Sequence, residues 1–282
     1  MKSIKSEAVE AIICETADTL ILPRFQELPQ GAVQYKSVNN PVTIVDLEAE
    51  RELTARLTDL LPGSKVVGEE AFEQNPAILD QFTGSDPVWT IDPLDGTKLF
   101  IAGAPYYGVI ISLSVNDETV MAWLYDPSSK EFITAEKGAG AYHQGRKLQV
   151  LEPEPLERLR GVMGARLLDD YANCQTPPDI KKPQFSRMLS SCHDYARLVA
   201  PKPHFSGKTD QMHFHCWKQT CTPWDNAAGV LINTEAGGFT AHWNEEPLKP
   251  SHYGRGILTA PNRACWRILR DWIMRFCELP EI

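Results

Sequence analysis

The chain has 282 residues, 43% hydrophobic and 23% charged, which is the balance of a globular protein long enough to bury a substantial core. Its net charge of −9 and isoelectric point near 5.3 exclude a surface that coats nucleic acid, which needs clustered Lys and Arg. No apolar run approaches the roughly 20 residues that span a bilayer. The N-terminus sets Glu7, Glu10 and Glu15 beside Lys2 and Lys5, unlike a secretory signal, so no membrane partner and a cytoplasmic location are expected.

In chain order, Ile4, Ala8, Ile12, Leu20 and Ile21 recur among charges and predict an amphipathic helix from Ser3 to about Phe25. Ala49, Leu53, Leu57, Leu60 and Leu61 form one face of a second helix that Pro62-Gly63 stops. The period then changes: Val88–Ile91, Tyr107–Val115, Val120–Tyr125 and Glu131–Ala135 read as strands of a largely antiparallel meander, with turns at Asn116-Asp117 and Pro127-Ser128-Ser129. Gly138–Ala141 is expected to be a tight strand connection, since no Gly-Lys-Ser/Thr follows to make a phosphate loop. Beyond Val150, Gly161–Gly164 and Ile257–Ala260 read as strands, and Arg187–Val199 and Ala264–Phe276 as helices. The expectation is one compact two-part unit over 1–282, with an α+β part over about 1–150 and an α/β part over 151–282.

The seven cysteines form no C-x-x-C pair and are expected to be free thiols. Cys216 and Cys221 with His213 and His215 fit no closed zinc spacing. The chemistry concentrates elsewhere. In Trp89-Thr-Ile-Asp92-Pro93-Leu94-Asp95-Gly96-Thr97 a strand ends at Asp92, and Gly96 lets the backbone approach an anion closely. Two carboxylates three residues apart at a strand end are poor core material unless something pairs with them; the plainer alternative is a turn with Asp95 as a helix cap. Pro93 stands where a haloacid-dehalogenase-type enzyme needs its nucleophilic Asp, which argues against an aspartyl-phosphate route. Gly68-Glu69-Glu70 follows an apolar pair, and adjacent acids there are ordinarily solvent-facing. Thr43-Ile-Val-Asp46 has the form of a capping box, and Pro223-Trp224-Asp225 that of a helix start.

Together and in this order, Asp46, Glu69-Glu70, Asp92-Pro-Leu-Asp95-Gly-Thr97, Trp224-Asp225-x-Ala-Ala-Gly229 and Thr234-Glu-Ala-Gly-Gly238 resemble the signature of the inositol monophosphatase family of lithium-sensitive, magnesium-dependent phosphatases. The resemblance implies a layered αβαβα sandwich, commonly a homodimer, that hydrolyses a small phosphorylated metabolite. It also implies roles. Glu69, Asp92 and the Leu94 carbonyl would hold a first Mg²⁺, and Asp92, Asp95 and Asp225 a second. A third ion would lie near Glu69, with Mn²⁺ a substitute and Li⁺ an inhibitor. Thr97, bonded to Asp46, would activate the attacking water, and Asp95 and the Gly96 and Thr97 amides would face the phosphate. Glu70 and Lys36 would act from just behind.

Substrate is less determined. The position seven before Asp225, an acid in inositol-specific members, is Lys218 here, and Gly164-Ala165-Arg166 also departs from the family pattern. Arg166 and Lys218 could read a second anion, with Asp225 also on the substrate, or be surface charges. Inositol monophosphate or a related polyol or sugar phosphate is the first reading. Gly96-Thr-Lys98-x-Phe100-Ile also resembles the corresponding turn of 3′(2′),5′-bisphosphate nucleotidases, the longer Gly96–Pro105 pattern resembles histidinol-phosphate phosphatases, and a silent metal- or phosphate-binding regulator is the non-enzyme alternative. Ser191-Cys-His-Asp194-Tyr195 and the insertion at 201–215 carry no assigned role.

Overall fold

Side chains alternate across a strand, so strands whose residues are all buried need a covering layer on each face. The computed structural model describes residues 4–37, 40–174, 181–187, 190–199, 211–219 and 221–279, and shows those layers. The strands are β1 Val33–Ser37, β2 Asn40–Thr43, β3 Lys65–Gly68, β4 Val88–Asp95, β5 Gly108–Val115, β6 Glu118–Asp126, β7 Glu131–Glu136, β8 Gly140–His143, β9 Arg146–Lys147, β10 Arg160–Met163, β11 Gln184–Arg187, β12 Phe214–Trp217, β13 Phe239–Ala241 and β14 Ile257–Ala260. The α-helices are α1 Ser6–Thr16, α2 Ile44–Leu60, α3 Glu69–Gln74, α4 Thr97–Ile101, α5 Ala165–Asn173, α6 Ser191–Val199, α7 Pro223–Glu235 and α8 Arg263–Ile273.

β3 to β9 form a seven-stranded sheet in sequence order, parallel at β3–β4 and antiparallel thereafter. A five-stranded sheet has the order β11-β10-β12-β14-β13, with β10 parallel to both neighbours. On β6, Trp123 and Tyr125 pack with Val9 and Ile13 of α1 and Leu53 and Leu57 of α2. The intervening Ala122 and Leu124 pack with Tyr195 of α6 and Ala228 and Ile232 of α7. Val162 of β10 joins that middle layer, while Met163 faces Trp266, Leu269 and Trp272 of α8. The result is the expected αβαβα sandwich. Each fully buried Leu or Ile is worth roughly 1.5–3 kcal/mol relative to exposure, so α2 and α7, which carry site residues, are firmly seated.

Several local expectations are adjusted. The first helix is α-helical only through Thr16; a π turn at Ala17–Ile21 and a tighter turn at Leu22–Arg24, containing Pro23, close it. Arg187 is not helical but ends β11, where it pairs with Met163, and α6 starts at Ser191. Gly164 caps α5, a helix the strand reading of Gly161–Gly164 had not anticipated. Gly138 and Gly140, at φ of 79° and 104°, make the tight entry to β8. All seven cysteines are unpaired. Among the described residues no helix is long and apolar enough to cross a membrane. Residues 201–210 of the proposed insertion lie outside the described residues.

Candidate active site

β4 is buried along its whole length and delivers Asp92 and Asp95 to one end of the large sheet. Its register with β5 shifts between these two residues, around Pro93, which has no N–H for the ladder. The freed Leu94 amide donates instead to Asp92 Oδ1 at 3.1 Å. Gly96 then turns the chain at φ 84°, and a Cβ there would lie 2.6 Å from the Tyr106 carbonyl oxygen, so only glycine fits. α4 starts directly at Thr97. From the other half of the chain, Thr222 caps α7 and its hydroxyl donates to Asp225 Oδ2 at 2.5 Å.

These elements bring Asp92, Asp95 and Asp225 together, with one carboxylate oxygen from each lying within 4.8 Å of the others. Burial, followed by the charge of Glu69, pushes Asp92 well above the usual carboxylate range. Burial, then Asp95 and Glu69, raises Asp225 to about 7. Like charges crowded out of water need a cation. Oxygen-only donors with no His or Cys among them suit Mg²⁺ or Mn²⁺ rather than Zn²⁺, so the residues present fit the expected metal.

The capping box at α2 forms and does two things. Asp46 Oδ2 accepts from the Thr43 amide at 2.7 Å and the Thr43 hydroxyl at 2.6 Å. That leaves Oδ1 to face Thr97 Oγ1 at 3.0 Å, from which the Leu94 carbonyl is also 3.0 Å. Burial is the main reason that Asp46 rises to about 6. Glu69 and Glu70 open α3, and Lys36 of β1 reaches them at 2.9 and 2.7 Å. Contrary to the solvent-facing pattern usual for adjacent acids, Glu70 is only 5% exposed, and burial followed by Glu69 raises it to about 8. Although burial works against it, the Lys36 ammonium is held above its ordinary value by the two glutamates.

A cleft of about 300 Å³ is lined by Glu69, Asp92, Leu94, Asp95, Gly96, Thr97 and Asp225, together with Asn40, Pro41, Lys98, Leu99 and Trp217. Arg166 and Lys218 are not in that lining. Arg166 donates to Gln219 Oε1 at 2.7 Å, and Lys218 pairs with Asp170 at 2.8 Å.

Two supports were missed at the level of sequence. Buried Glu50 accepts the amides of Glu70 and Ala71 on its two carboxylate oxygens, each at 2.8 Å, and so caps α3. Its signal was present, since it lies one helical turn beyond Asp46 on α2. The second support is the start of α6, whose Ser191 and Cys192 amides donate to Asp95 at 3.1 and 2.7 Å. Beside it, Ser190 Oγ is 2.8 Å from His193 Nδ1, and His193 Nε2 is 3.7 Å from Asp126. Two serines before a helical segment were the available signal there.

The model of the inositol monophosphatase family matches residues 4–275. The chain belongs to that family. It is 30% identical over 265 residues to a Pseudomonas aeruginosa protein named Nus factor SuhB, covering 90% of each chain. It is 31% identical over 211 residues to the Dictyostelium discoideum inositol monophosphatase, covering 73% of each. Among solved structures, the IMPase of Thermotoga maritima superposes with a TM-score of 0.74 at 19% identity, over 96% of this chain and 99% of that one. The extragenic suppressor protein suhB of Bartonella henselae superposes at 0.76 and 20% identity, with the same coverage. These superpositions establish the sandwich fold. By its family the chain is a phosphoric monoester hydrolase.

Proposed function

We propose that the chain is a Mg²⁺-dependent phosphomonoesterase that releases inorganic phosphate from a small phosphorylated metabolite by in-line attack of water. The observation that carries this reading is the convergence of Asp92, Asp95 and Asp225 beside the hydrogen-bonded Asp46–Thr97 pair. Glu69, Asp92 and the Leu94 carbonyl would hold one ion and Asp92, Asp95 and Asp225 another, with a third near Glu69. Bound there, Mg²⁺ supplies charge neutralisation and acidifies water.

The protein's own groups do the rest. Thr97 Oγ1 donates to Asp46 and so keeps lone pairs free to take the proton of the attacking water. Asp46 Oδ1, its basicity raised by burial, receives the relayed proton. The Gly96 and Thr97 amides hold phosphate oxygens as charge grows on them. Lys36 and Glu70 set the charge and position of Glu69. The two halves, 1–150 and 151–282, act as one unit because Asp225 comes from the second and the other ligands from the first.

The relatives' names make inositol monophosphate and related polyol or sugar phosphates the first substrates to test. Bisphosphate nucleotides and histidinol phosphate are the alternatives. Mn²⁺ is expected to substitute and Li⁺ to inhibit, in a cytoplasmic homodimer. The test is phosphate release from this panel with Mg²⁺, with EDTA and with Li⁺ added. Metal-dependent release from any member supports the reading; release that EDTA leaves unchanged refutes it. A regulatory role is the second reading, favoured by the relative named Nus factor SuhB, and Mg²⁺ binding without turnover of any substrate would support it instead.

A further inference from the structure

Lys218, outside the cleft lining, belongs to a different cluster. It follows the last residue of β12, and its carbonyl accepts from the Trp243 indole at 3.2 Å, which fixes the backbone there. Its ammonium pairs with Asp170 Oδ2 of α5 at 2.8 Å. The same oxygen accepts from the Cys277 thiol at 3.0 Å, and the thiol and the ammonium also contact each other. The segment after α8 that carries Cys277 is held against α5 by Phe276, whose ring meets Tyr171 at 5.0 Å and Trp272 at 4.8 Å. A nitrogen and a sulfur from distant parts of the chain are thus fastened to one carboxylate oxygen.

Cys192 and Cys216, by contrast, donate to the backbone carbonyls of Tyr125 and Val162, each at 3.7 Å. Cys277 is 5% exposed, and burial followed by Asp170 pushes its thiol up to about 12. Thiolate is therefore scarce, which shields Cys277 from the thiolate-driven oxidations of exposed cysteines. Dioxygen, small and uncharged, can still reach it.

We propose that Lys218 and Cys277 form a covalent nitrogen–oxygen–sulfur bridge on exposure to dioxygen, a reversible redox modification that ties the end of β12 to the C-terminal segment. The ammonium first gives one proton to solvent by way of Asp170. The neutral amine and the thiol then react with one dioxygen. One N–H bond, the S–H bond and the O–O bond break; one oxygen atom joins nitrogen to sulfur, and the other leaves as water with the two hydrogens released. Nitrogen and sulfur are oxidised, and dioxygen takes up all four electrons. Two molecules of a dithiol reverse the change, returning amine, thiol and water. The bridge cancels the charge of Lys218 and frees Asp170.

In the experiment the full chain is held for days in air-saturated or anaerobic buffer, and its intact mass and peptide map are read before and after dithiothreitol. A species about 14 Da heavier, with one oxygen gained and two hydrogens lost, is expected in air alone. Its Lys218 and Cys277 peptides should be joined, and dithiothreitol should restore the starting mass, which it would not do for a methylated lysine. Cys277→Ser and Lys218→Arg should each abolish the species. Cys216→Ala, which removes a thiol close enough to Cys277 to feel its charge, should keep it. A product about 2 Da lighter that Cys216→Ala removes is a disulfide and overturns the inference. So do a gain of about 16 or 32 Da confined to Cys277, which is simple sulfur oxidation, a 14 Da gain that survives Lys218→Arg, and an unchanged mass after prolonged exposure to air. The wild-type peptide map decides between these outcomes even where a variant folds poorly. None of the readouts depends on turnover, so the inference stands or falls apart from the phosphatase reading.

Discussion

Glu50 touches neither the cleft nor the three converging aspartates, yet its loss should be felt by both stability and metal. Its carboxylate takes two buried amides of the first turn of α3, each at 2.8 Å, and α3 begins with Glu69 and Glu70. A hydrogen bond to a charged group is worth about 1.5–3 kcal/mol. Glu50→Ala opens space through which water can reach the two amides, so the loss should fall short of two full bonds, at about 3 kcal/mol. For a chain of this size that lowers Tm by roughly 6–12 °C. Glu69 then loses its fixed position, and loss of such a support weakens metal binding about 10–100-fold. Glu50→Gln keeps one acceptor oxygen and should fall between the variant and the wild type. Gly68→Ala attacks the same contact from the other side, because a Cβ there would overlap the Glu50 carboxylate. Thermal melts and Mg²⁺ calorimetry on the three variants read both quantities. If Glu50→Ala melts within a degree or two of wild type and binds Mg²⁺ as tightly, the argument is wrong. A lower Tm with unchanged Mg²⁺ affinity would confine Glu50 to stability.

Asp95→Asn should abolish turnover while circular dichroism shows an intact fold, because the amide oxygen can still accept from one of the α6 amides; retained activity would remove Asp95 from the metal set. Thr97→Ala should lower kcat by about 10²–10⁴-fold, the range for loss of acid–base assistance, and change Mg²⁺ affinity little. An unchanged kcat would break the Thr97–Asp46 relay. Ser190→Ala unties His193 from the start of α6 and should weaken Mg²⁺ binding about tenfold through Asp95, measured by calorimetry. Stability should depend on pH in opposite ways with and without metal. Asp46, Asp225 and Glu70 stand at about 6, 7 and 8 when folded, against 3.8, 3.8 and 4.5 ordinarily. The folded state therefore binds more protons than the unfolded one, and their contribution, full below about pH 4, is lost as pH rises through 8. Mg²⁺ needs the ionised carboxylates, so the Tm difference between Mg²⁺ and EDTA should widen from pH 5 to 8. A constant difference would show that ion binding is not linked to the ionisation of these groups.

Much of the site was legible in the sequence because its residues carry their chemistry in local patterns. Asp92, Asp95 and Gly96 stand at a strand end where Pro93 forbids continuation, and Asp225 stands in the first turn of a helix with Pro223 before it. Strand alternation and helical periodicity likewise predicted the main helices and strands, since the hydrophobic faces that must be covered are written residue by residue; the layered sandwich followed from the family resemblance. Boundaries were less legible: the parallel pairing of Met163 with Arg187, a contact between distant segments, drew Arg187 into a strand rather than a helix.

Only the tertiary structure decided which charges are spent. Lys218 looked free until α5 placed Asp170 beside it. Glu50 became a support of the site by accepting from an amide 20 residues away in sequence, and the start of α6 by donating its Ser191 amide to Asp95, 96 residues away. The capping box shows both levels in one residue: the sequence alone has the form of a helix start closed by Thr43 and Asp46, which forms through Oδ2, while Oδ1 of Asp46 meets Thr97 only because α2 and the end of β4 pack together. Local patterns follow from the geometry of neighbouring residues. Pairing of distant charges depends on which surfaces the hydrophobic layers bring into contact, and that is settled only when the sheets and helices close on one another.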